Sequence, residues 1–373
     1  MLGCSSEKLI EPAFDLGLIV YLGGDNDLSQ ETTEKLDAIC AAWPEAENGR
    51  LLVYQDRKNE APRLLEMEGG TPCEAANWKE VEVYEEENSA SAEVFTRVIT
   101  QVRRDYPANR YGLLLFSHAT GWLPGRSYTD PAAWRPAEVD AESGLRSVLR
   151  DGDEVMEAEA FAAAIPDGAF DFIVMEMCFS GGVELAYPLR KKADWMLASS
   201  AEIFSPGFTP VYRTSFKQLF HADARTGLEN FARTYMAHVR TLSGDYRSAT
   251  VGLLRTAGLD GLMKAAAPAY FANTSAAISE IQCFDRGARP HLFFDLEAFV
   301  EPRLTEDEKI AFQEALKNTV VYADATEQIV DVPVTRHCGL TTYILQDAYP
   351  YLNEAYRALS WYKEMTQTMD NND

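Results

Sequence analysis

The stretch Asp171-Phe-Ile-Val-Met-Glu-Met-Cys178-Phe-Ser-Gly-Gly182 decides the fold class of this chain. It is an apolar run of strand length that ends on a cysteine and two glycines, a pattern typical of a buried strand that leads into a helix. A second apolar run, Tyr111-Gly-Leu-Leu-Leu-Phe-Ser-His118, ends on a histidine. If the two runs are neighbouring parallel strands, Cys178 and His118 lie side by side at the carboxyl edge of one sheet. Open α/β sheets bind their ligands at that edge.

Strand and helix patterns alternate through the first part of the chain. Apolar runs bounded by turn residues alternate with amphipathic stretches that have helical periodicity. This alternation predicts an α/β fold, in which a mostly parallel sheet carries helices on both faces. Strands are predicted at 16–22, 50–55, 63–67, 78–84, 112–117, 170–177 and 195–199, and helices at 32–42, 89–106, 157–165 and 181–191.

The pattern changes after about residue 215, where helical stretches begin to predominate. We expect an N-terminal tail over residues 1–15, a catalytic core over 16–215 and a helix-rich C-terminal region over 216–373 that packs on the core. A strand at 339–345 is expected to return to the core. The other elements predicted in this region are a strand at 248–254 and helices at 228–242, 259–281, 305–319 and 353–369.

Composition narrows the class of protein. With 373 residues, of which 46% are hydrophobic, the chain has enough apolar sequence for a large core. Its formal charge of −24 makes nucleic acid a poor partner, because phosphate backbones repel an acidic surface. The acidity is compatible with basic peptide substrates, although many soluble proteins are acidic. None of the six cysteines forms a CxxC pair, so no zinc site is indicated and mostly free or buried thiols are expected.

The N-terminus carries a possible localisation signal. The sequence Met1-Leu-Gly-Cys4-Ser-Ser resembles the end of a bacterial lipoprotein signal, in which the cysteine becomes lipidated. No apolar run approaches the length that spans a membrane. We therefore expect an extracytoplasmic protein whose only membrane attachment is a lipid on Cys4; a chance match is the alternative.

Cys178 and His118 are the candidate catalytic pair. A thiol beside an imidazole is a nucleophile beside its base, and a following helix would lower the thiol pKa. Each residue alone has a simpler explanation, a buried cysteine that packs or a histidine satisfied at a strand end. Their placement after two apolar strands is more specific and predicts a cysteine peptidase. A serine hydrolase is disfavoured because Ser180 lacks the Gly-x-Ser-x-Gly context.

Several further motifs resemble the clostripain family of cysteine peptidases, which belongs to the same clan as caspases and gingipains. The resemblance spans most of the chain and includes the histidine and cysteine motifs. Its segments are Val20-Tyr-Leu-Gly-Gly-Asp-Asn-Asp-Leu28, Phe116-Ser-His-Ala-Thr-Gly-Trp122, Met175-Glu-Met-Cys-Phe-Ser-Gly-Gly-Val-Glu-Leu-Ala-Tyr187, Lys192 to Ile203, Cys338-Gly-Leu-Thr-Thr-Tyr-Ile344 and Trp361-Tyr-Lys363.

The resemblance implies a caspase-like sheet with His118 and Cys178 as a catalytic dyad and cleavage after Arg or Lys. It implies an oxyanion hole made by the backbone N–H groups of Cys178 and Ala119. Two positions depart from the family pattern. Ala119 replaces a glycine, and a positive φ there would be strained. Glu176 replaces an aspartate, and its carboxylate is the candidate S1 partner of a basic P1 side chain.

The polar segment 126–155 adds two weaker candidates. Arg146 and Arg150 are possible self-cleavage sites, although exposed loop arginines are common. The run Asp151-Gly-Asp-Glu154 is a possible calcium site, although a solvated turn explains it as well; otherwise no cofactor or metal is expected. The sequence thus predicts a cysteine endopeptidase acting on proteins or peptides. The alternative is a catalytically silent binding protein with a peptidase fold.

Overall fold

The structure is a computed structural model, and it describes residues 14–43, 49–68, 78–125, 127–136, 148–272, 277–287 and 289–370. Two residues named above, Cys4 and Arg146, lie outside the described residues, as does almost all of the predicted N-terminal tail. Predictions that depend on them stay predictions.

The strands of the described residues are numbered in chain order. They are β1 (Phe14–Gly24), β2 (Gly49–Arg57), β3 (Glu60–Glu68), β4 (Lys79–Val83), β5 (Ala108–Phe116), β6 (Leu149–Asp151), β7 (Glu154–Met156), β8 (Phe170–Glu176), β9 (Ala193–Ala198), β10 (Thr250–Arg255), β11 (Phe294–Asp295), β12 (Val320–Ala325), β13 (Gln328–Ile329), β14 (Val332–Pro333) and β15 (Thr341–Thr342).

Nine of these strands form one sheet in the order β12-β10-β9-β8-β5-β1-β2-β3-β4. The five central strands, β9, β8, β5, β1 and β2, run parallel, and the two strands at each edge are antiparallel to their neighbours. This arrangement confirms the predicted α/β class with a mostly parallel sheet. The remaining strands make three separate antiparallel pairs, β6 with β7, β11 with β15 and β13 with β14.

Helices cover both faces of the sheet. They are α1 (Ser29–Ala42), α2 (Ala92–Asp105), α3 (Ala158–Ala164), α4 (Val183–Ala186), α5 (Thr209–Ser215), α6 (Ala224–Val239), α7 (Leu259–Phe271), α8 (Leu296–Val300), α9 (Glu306–Thr319), α10 (Pro350–Arg357) and α11 (Ser360–Asp370). One apolar core includes residues of α2, α3, α7 and α11, and the other includes residues of α1, α5 and α6. Strands that are covered on both faces have continuous apolar sequences, so the central strands could be predicted from the sequence.

Four predicted elements differ from the structure. The helix predicted at 181–191 is only the single turn α4, followed by a 3₁₀ turn that starts at Pro188, where the missing N–H cannot continue the helix. The helix predicted at 259–281 ends at Phe271, and the one predicted at 353–369 is divided into α10 and α11. The strand predicted at 339–345 is reduced to β15, which pairs with β11.

The C-terminal region contributes to the same sheet as the rest of the chain, because β10 and β12 extend it beyond β9. The predicted boundary at residue 215 therefore does not divide the sheet. That residue 215 separates two domains stays a prediction. Cys40 is disulfide-bonded, whereas Cys178, Cys283 and Cys338 are thiols, in agreement with the expectation that most cysteines are not bridged. No helix in the described ranges is long and apolar enough to cross a bilayer.

Candidate active site

The structure brings His118 and Cys178 to one edge of the sheet. Strands β5 and β8 are parallel neighbours, and Phe116 is the register partner of Glu176. His118 and Cys178 each follow those partners by two residues, so both side chains lie just beyond matched strand ends. The prediction that the two apolar runs are neighbouring parallel strands is confirmed.

Cys178 is half-buried, and its Sγ lies against the backbone of Ile203. The N–H of Ile203 is 3.3 Å from Sγ, and the Ile203 carbonyl oxygen is 3.7 Å away. The predicted helix start beside Cys178 is wrong, because α4 begins only at Val183 and comprises four residues. A single turn at that distance supplies little helix dipole to the thiol.

His118 contacts a carboxylate that sequence reasoning did not assign. Its Nε2 lies 2.8 Å from Oδ1 of Asp27, and Arg150 Nη1 lies 3.7 Å from the same oxygen. Burial raises the pKa of Asp27, but the hydrogen bond and charge of His118 outweigh burial, and Arg150 adds to their effect, so that the pKa is lowered from its ordinary value. Asp27 is therefore ionised at neutral pH, and an ionised carboxylate fixes the orientation of a histidine ring.

The turn that presents Asp27 is held by the hairpin of β6 and β7. Asn26 accepts the N–H of Leu28 on its Oδ1 at 2.8 Å and donates its Nδ2 to the carbonyl of Arg150 at 2.9 Å. The N–H of Arg150 donates to Ser117 Oγ at 3.1 Å, so the hairpin also contacts the end of the histidine strand. The side chain of Asn26 thus stabilises the conformation of the turn, and the hairpin holds this turn in position relative to His118.

The backbone beside the cysteine is left-handed, whereas that at Ala119 is not. Phe179 has φ 54° and is fully buried, and the only other non-glycine residues with positive φ in the described ranges are Asn59 and Val330. Ala119 is buried and does not have a positive φ. An alanine at this position, where the family has glycine, therefore causes no backbone strain. A left-handed residue directly after Cys178 turns the chain sharply at the candidate nucleophile.

Glu176 is buried in a polar cluster under the same edge. Its Oε1 accepts Lys35 Nζ at 2.6 Å and the N–H of Phe208 at 2.5 Å, and its Oε2 accepts the hydroxyl of Tyr212 at 2.5 Å. The side chains of Lys35 and Glu176 are both 0% exposed. Burial, and then the charge and hydrogen bond of Glu176, raise the pKa of Tyr212 well above its ordinary value, so the hydroxyl stays protonated and donates.

Comparison with known proteins identifies the family. The family model described as the clostripain family matches residues 20–370. The chain belongs to the clostripain family of cysteine peptidases. It is thus a cysteine peptidase with a caspase-like fold, as the sequence motifs predicted. No curated protein matches the chain.

Solved structures of clostripain-family proteases resemble almost the whole chain. An inactive zymogen of a C11 protease from Parabacteroides distasonis is 28% identical, with a TM-score of 0.79 and coverage of 96% of this chain and 99% of that chain. A secreted C11 cysteine protease from Bacteroides thetaiotaomicron, in complex with an irreversible peptide inhibitor, is 23% identical, with a TM-score of 0.78 and coverage of 95% and 99%. A structure of a secreted Bacteroides thetaiotaomicron C11 protease named iotapain is 19% identical, with a TM-score of 0.79 and the same coverage.

The weaker candidates of this clostripain-family chain are placed as follows. Arg150 lies in β6, where both its N–H and its carbonyl are hydrogen-bonded, so cleavage after it would require the hairpin to open. Asp151 accepts the N–H of Ser89 at 2.5 Å. The described residues contain no group of three or more histidine, cysteine, aspartate or glutamate side chains arranged to hold a metal ion. Self-cleavage and calcium binding stay predictions.

Two partners of predicted site residues were missed from the sequence, namely Asp27, which contacts His118, and Lys35, which pairs with Glu176. The Asp-Asn-Asp sequence before α1 contributed to the family resemblance, yet nothing in it showed that Asp27 faces His118. Lys35 lies inside α1 in a stretch rich in polar residues, where a lysine is normally exposed. Only the packing of α1 against α5 reveals that its ammonium group is buried.

Proposed function

We propose that this clostripain-family enzyme is a cysteine endopeptidase in which Cys178 is the nucleophile and His118 the general acid and base. The observation that supports the proposal is the placement of both residues beyond matched ends of adjacent parallel strands. The irreversible peptide inhibitor bound to the secreted relative is consistent with peptide substrates. Proteins or peptides in an extended conformation are the substrate class.

The reaction follows from the roles of the side chains. Cys178 Sγ attacks the scissile carbonyl carbon while His118 takes the thiol proton. His118 then gives the proton to the leaving amine, the C–N bond breaks, and a thioester remains on Cys178. Water, deprotonated by His118, hydrolyses the thioester and restores the thiol.

Asp27 is a positioning residue in this scheme. Its contact with Nε2 of His118 assigns the proton transfers to Nδ1, the other ring nitrogen. A carboxylate behind the imidazole holds one ring orientation and stabilises the imidazolium that forms during attack. The proposed oxyanion donors are the N–H groups of Cys178 and Ala119, at the two strand ends.

The proposed location is extracytoplasmic, with lipid attachment through Cys4. The disulfide at Cys40 supports this location, because disulfides persist in oxidising compartments. The Bacteroides thetaiotaomicron relative with the bound peptide inhibitor is a secreted protease, which is consistent with the same location. Lipid attachment is tested by mass spectrometry of the N-terminal peptide from a bacterial membrane fraction.

The test of the function is peptide turnover by Cys178→Ala, with Cys338→Ala as the matched control. Cys338 is also a half-buried thiol, but it belongs to the segment before β15, where its Sγ contacts the carbonyl oxygen of Leu340 at 3.3 Å. We expect Cys178→Ala to lose turnover and Cys338→Ala to keep it. Unchanged turnover in Cys178→Ala would refute the assignment. A folded wild-type protein without turnover would favour the silent binding protein.

A further inference from the structure

The turn that follows Cys178 is held on two sides by backbone hydrogen bonds. On the side of β9, the N–H of Gly181 donates to the carbonyl of Ser199 at 2.7 Å. On the other side, the N–H of Thr341 in β15 donates to the carbonyl of Gly181 at 2.9 Å, and Gly182 forms a parallel bridge with Thr341. The position of the turn therefore depends on the C-terminal strand β15 as well as on the central sheet.

The turn transmits this position to the proposed nucleophile because it is closed internally. The hydroxyl of Ser180 donates to the carbonyl of Met177 at 3.0 Å and accepts the N–H of Ser199 at 3.1 Å. This side chain thus connects the residue before Cys178 to the end of β9. A buried turn that is closed in this way moves as one unit, so a displacement of Gly181 also displaces Cys178.

Glu184 anchors β15 beside this turn. Its Oε1 accepts the N–H of Tyr343 at 2.8 Å and the hydroxyl of Thr342 at 2.9 Å. Strand β15 comprises only two residues and pairs with the two-residue strand β11, so its backbone ladder contributes few hydrogen bonds. The carboxyl of Glu184 therefore supplies a large part of what holds β15 against the turn.

Glu184 is an unusual residue for its position. It is fully buried in α4, and the residues on either side of it belong to the apolar core. No lysine, arginine or histidine in the described part of the chain forms an ion pair with it. Burial raises the pKa of its carboxyl to about 7, although hydrogen bonds from Tyr343 and Thr342 lower it. Burying a carboxyl costs free energy that hydrogen bonds must offset, which points to a role for the bonds to β15.

We propose that Glu184 is a positioning residue for the reaction: by holding β15 against the turn, it keeps Cys178 and its backbone N–H where they meet the scissile carbonyl. This inference depends on the proposed peptidase function and adds to it a residue that touches no reacting atom. A displacement of the nucleophile by about 1 Å lowers the rate of attack by about 100-fold, so a small shift of the turn has a measurable effect.

The first test compares two variants of Glu184 at about pH 6, where its carboxyl is mostly protonated and neutral. Glu184→Gln keeps a carbonyl oxygen that can accept both hydrogen bonds, whereas Glu184→Leu has a similar size and no acceptor. With a fluorogenic peptide that the wild type cleaves, we expect Glu184→Leu to lower kcat by at least about 10-fold with little change in KM. Glu184→Gln should restore most of the wild-type kcat. An equal loss in both variants, or no loss in folded Glu184→Leu, would overturn the role of Glu184.

The second test removes one of the two donors. Thr342→Val loses the hydroxyl that donates to Glu184, and Thr256→Val is its matched control. Both threonines are buried, but the hydroxyl of Thr256 donates to the carbonyl of Ala193 at the amino end of β9, whereas Cys178 follows the carboxyl end of β8. We expect both variants to unfold at lower urea concentration and only Thr342→Val to lose kcat, by at least about 3-fold. Equal kcat values in the two variants would overturn the inference.

Folding and the peptidase function are separated from positioning in the same experiments. The fold of each variant is checked by circular dichroism, and if Glu184→Leu does not fold, the comparison of Thr342→Val with Thr256→Val decides. Turnover by the wild type that is unchanged in the folded variants would refute the inference and leave the peptidase function standing. Absence of turnover by the wild type, together with no labelling of Cys178 by peptidyl inhibitors, would instead refute the peptidase function, and the inference with it.

Discussion

Gly121 lies so close to the carbonyl oxygen of Phe179 that a β-carbon at residue 121 would be 2.6 Å from it. Gly121 follows the histidine strand, and Phe179 follows Cys178, so this contact directly joins the two loops that carry the proposed catalytic residues. Gly121 also has φ 62°, a conformation that side chains with a β-carbon rarely adopt. The spacing of His118 and Cys178 therefore depends on a glycine at this position.

Gly121→Ala tests that contact. We expect a loss of about 1–3 kcal/mol in the free energy of unfolding and a lower kcat, because the loops must separate. Gly168→Ala is the matched control: Gly168 has φ 63°, but no atom lies within 4 Å of its β-carbon position. Urea unfolding and peptide turnover are measured for both variants. Equal activity in the two variants would show that the effect of Gly121→Ala comes only from backbone strain and not from the contact with Phe179.

Asp27→Asn tests the positioning of His118. The amide keeps the shape of the side chain but removes its charge, so we expect kcat to fall by about 100-fold with KM little changed. Asp25→Asn, in the same turn, is the control, because the hairpin uses the backbone carbonyl of Asp25, which accepts the N–H of Gly152 at 2.6 Å. The readout is the pH profile of kcat for each variant. A profile for Asp27→Asn that coincides with the wild-type profile would contradict the role.

Asp56 predicts a specific pH dependence of stability. Burial raises the pKa of this fully buried carboxyl at the end of β2 to about 7, with Asp151, Asp25 and Glu86 adding to the rise, although Ser89 lowers it. The ordinary value is about 3.9, so the folded state holds the proton more tightly than the unfolded state. Its stabilising contribution is complete below about pH 4 and is lost as the pH rises to about 7, on the order of 4 kcal/mol in total.

The measurement is urea unfolding of wild type and Asp56→Asn between pH 5 and 8. An amide does not ionise, so the variant should gain stability relative to wild type as the pH rises. Asp245→Asn, at an exposed position, should follow the wild-type curve. A constant difference between Asp56→Asn and wild type across this range would show that Asp56 does not titrate there.

The bond after Arg150 is expected to stay intact when the purified enzyme is incubated alone. Its N–H donates to Ser117 and its carbonyl accepts from Asn26, so the backbone at Arg150 is held in the hairpin and is not free to enter an active site. Intact-mass measurement of wild type and Cys178→Ala over time checks this. A fragment that begins at Asp151 in the wild type alone would contradict the rigidity of β6 and would show that Arg150 is a self-cleavage site.

The fold, and the neighbouring placement of the two strands that lead to His118 and Cys178, were predictable from the sequence because they depend on apolar runs. The strands that carry His118 and Cys178 are buried on both faces, so their sequences read as strands and end where the side chains are needed. The family motifs then led to the prediction that both residues belong to one active site. These patterns were nearly sufficient to predict the clostripain-like core.

The parts that were missed depend on contacts between distant segments. Asp27 meets His118, 91 residues away, and Lys35 meets Glu176, 141 residues away. The sequence around Asp27 or Lys35 contains no pattern that indicates these contacts, because a polar residue in a turn or on a helix is normally expected to be exposed to solvent. The hairpin of β6 and β7 was missed for a different reason: each strand has only three residues, too few to form a recognisable apolar run, although Leu149 and Met156 are buried in the apolar core.

The most direct test of the central claim is the site of covalent labelling by irreversible peptidyl inhibitors, applied as a set that differs only in the P1 residue. Protein treated with each inhibitor is digested, and the modified residue is located by tandem mass spectrometry. We predict one adduct, on Cys178, that is absent in Cys178→Ala and reduced in Asp27→Asn. An adduct on Cys283 or Cys338, or loss of peptide turnover without modification of Cys178, would contradict the account.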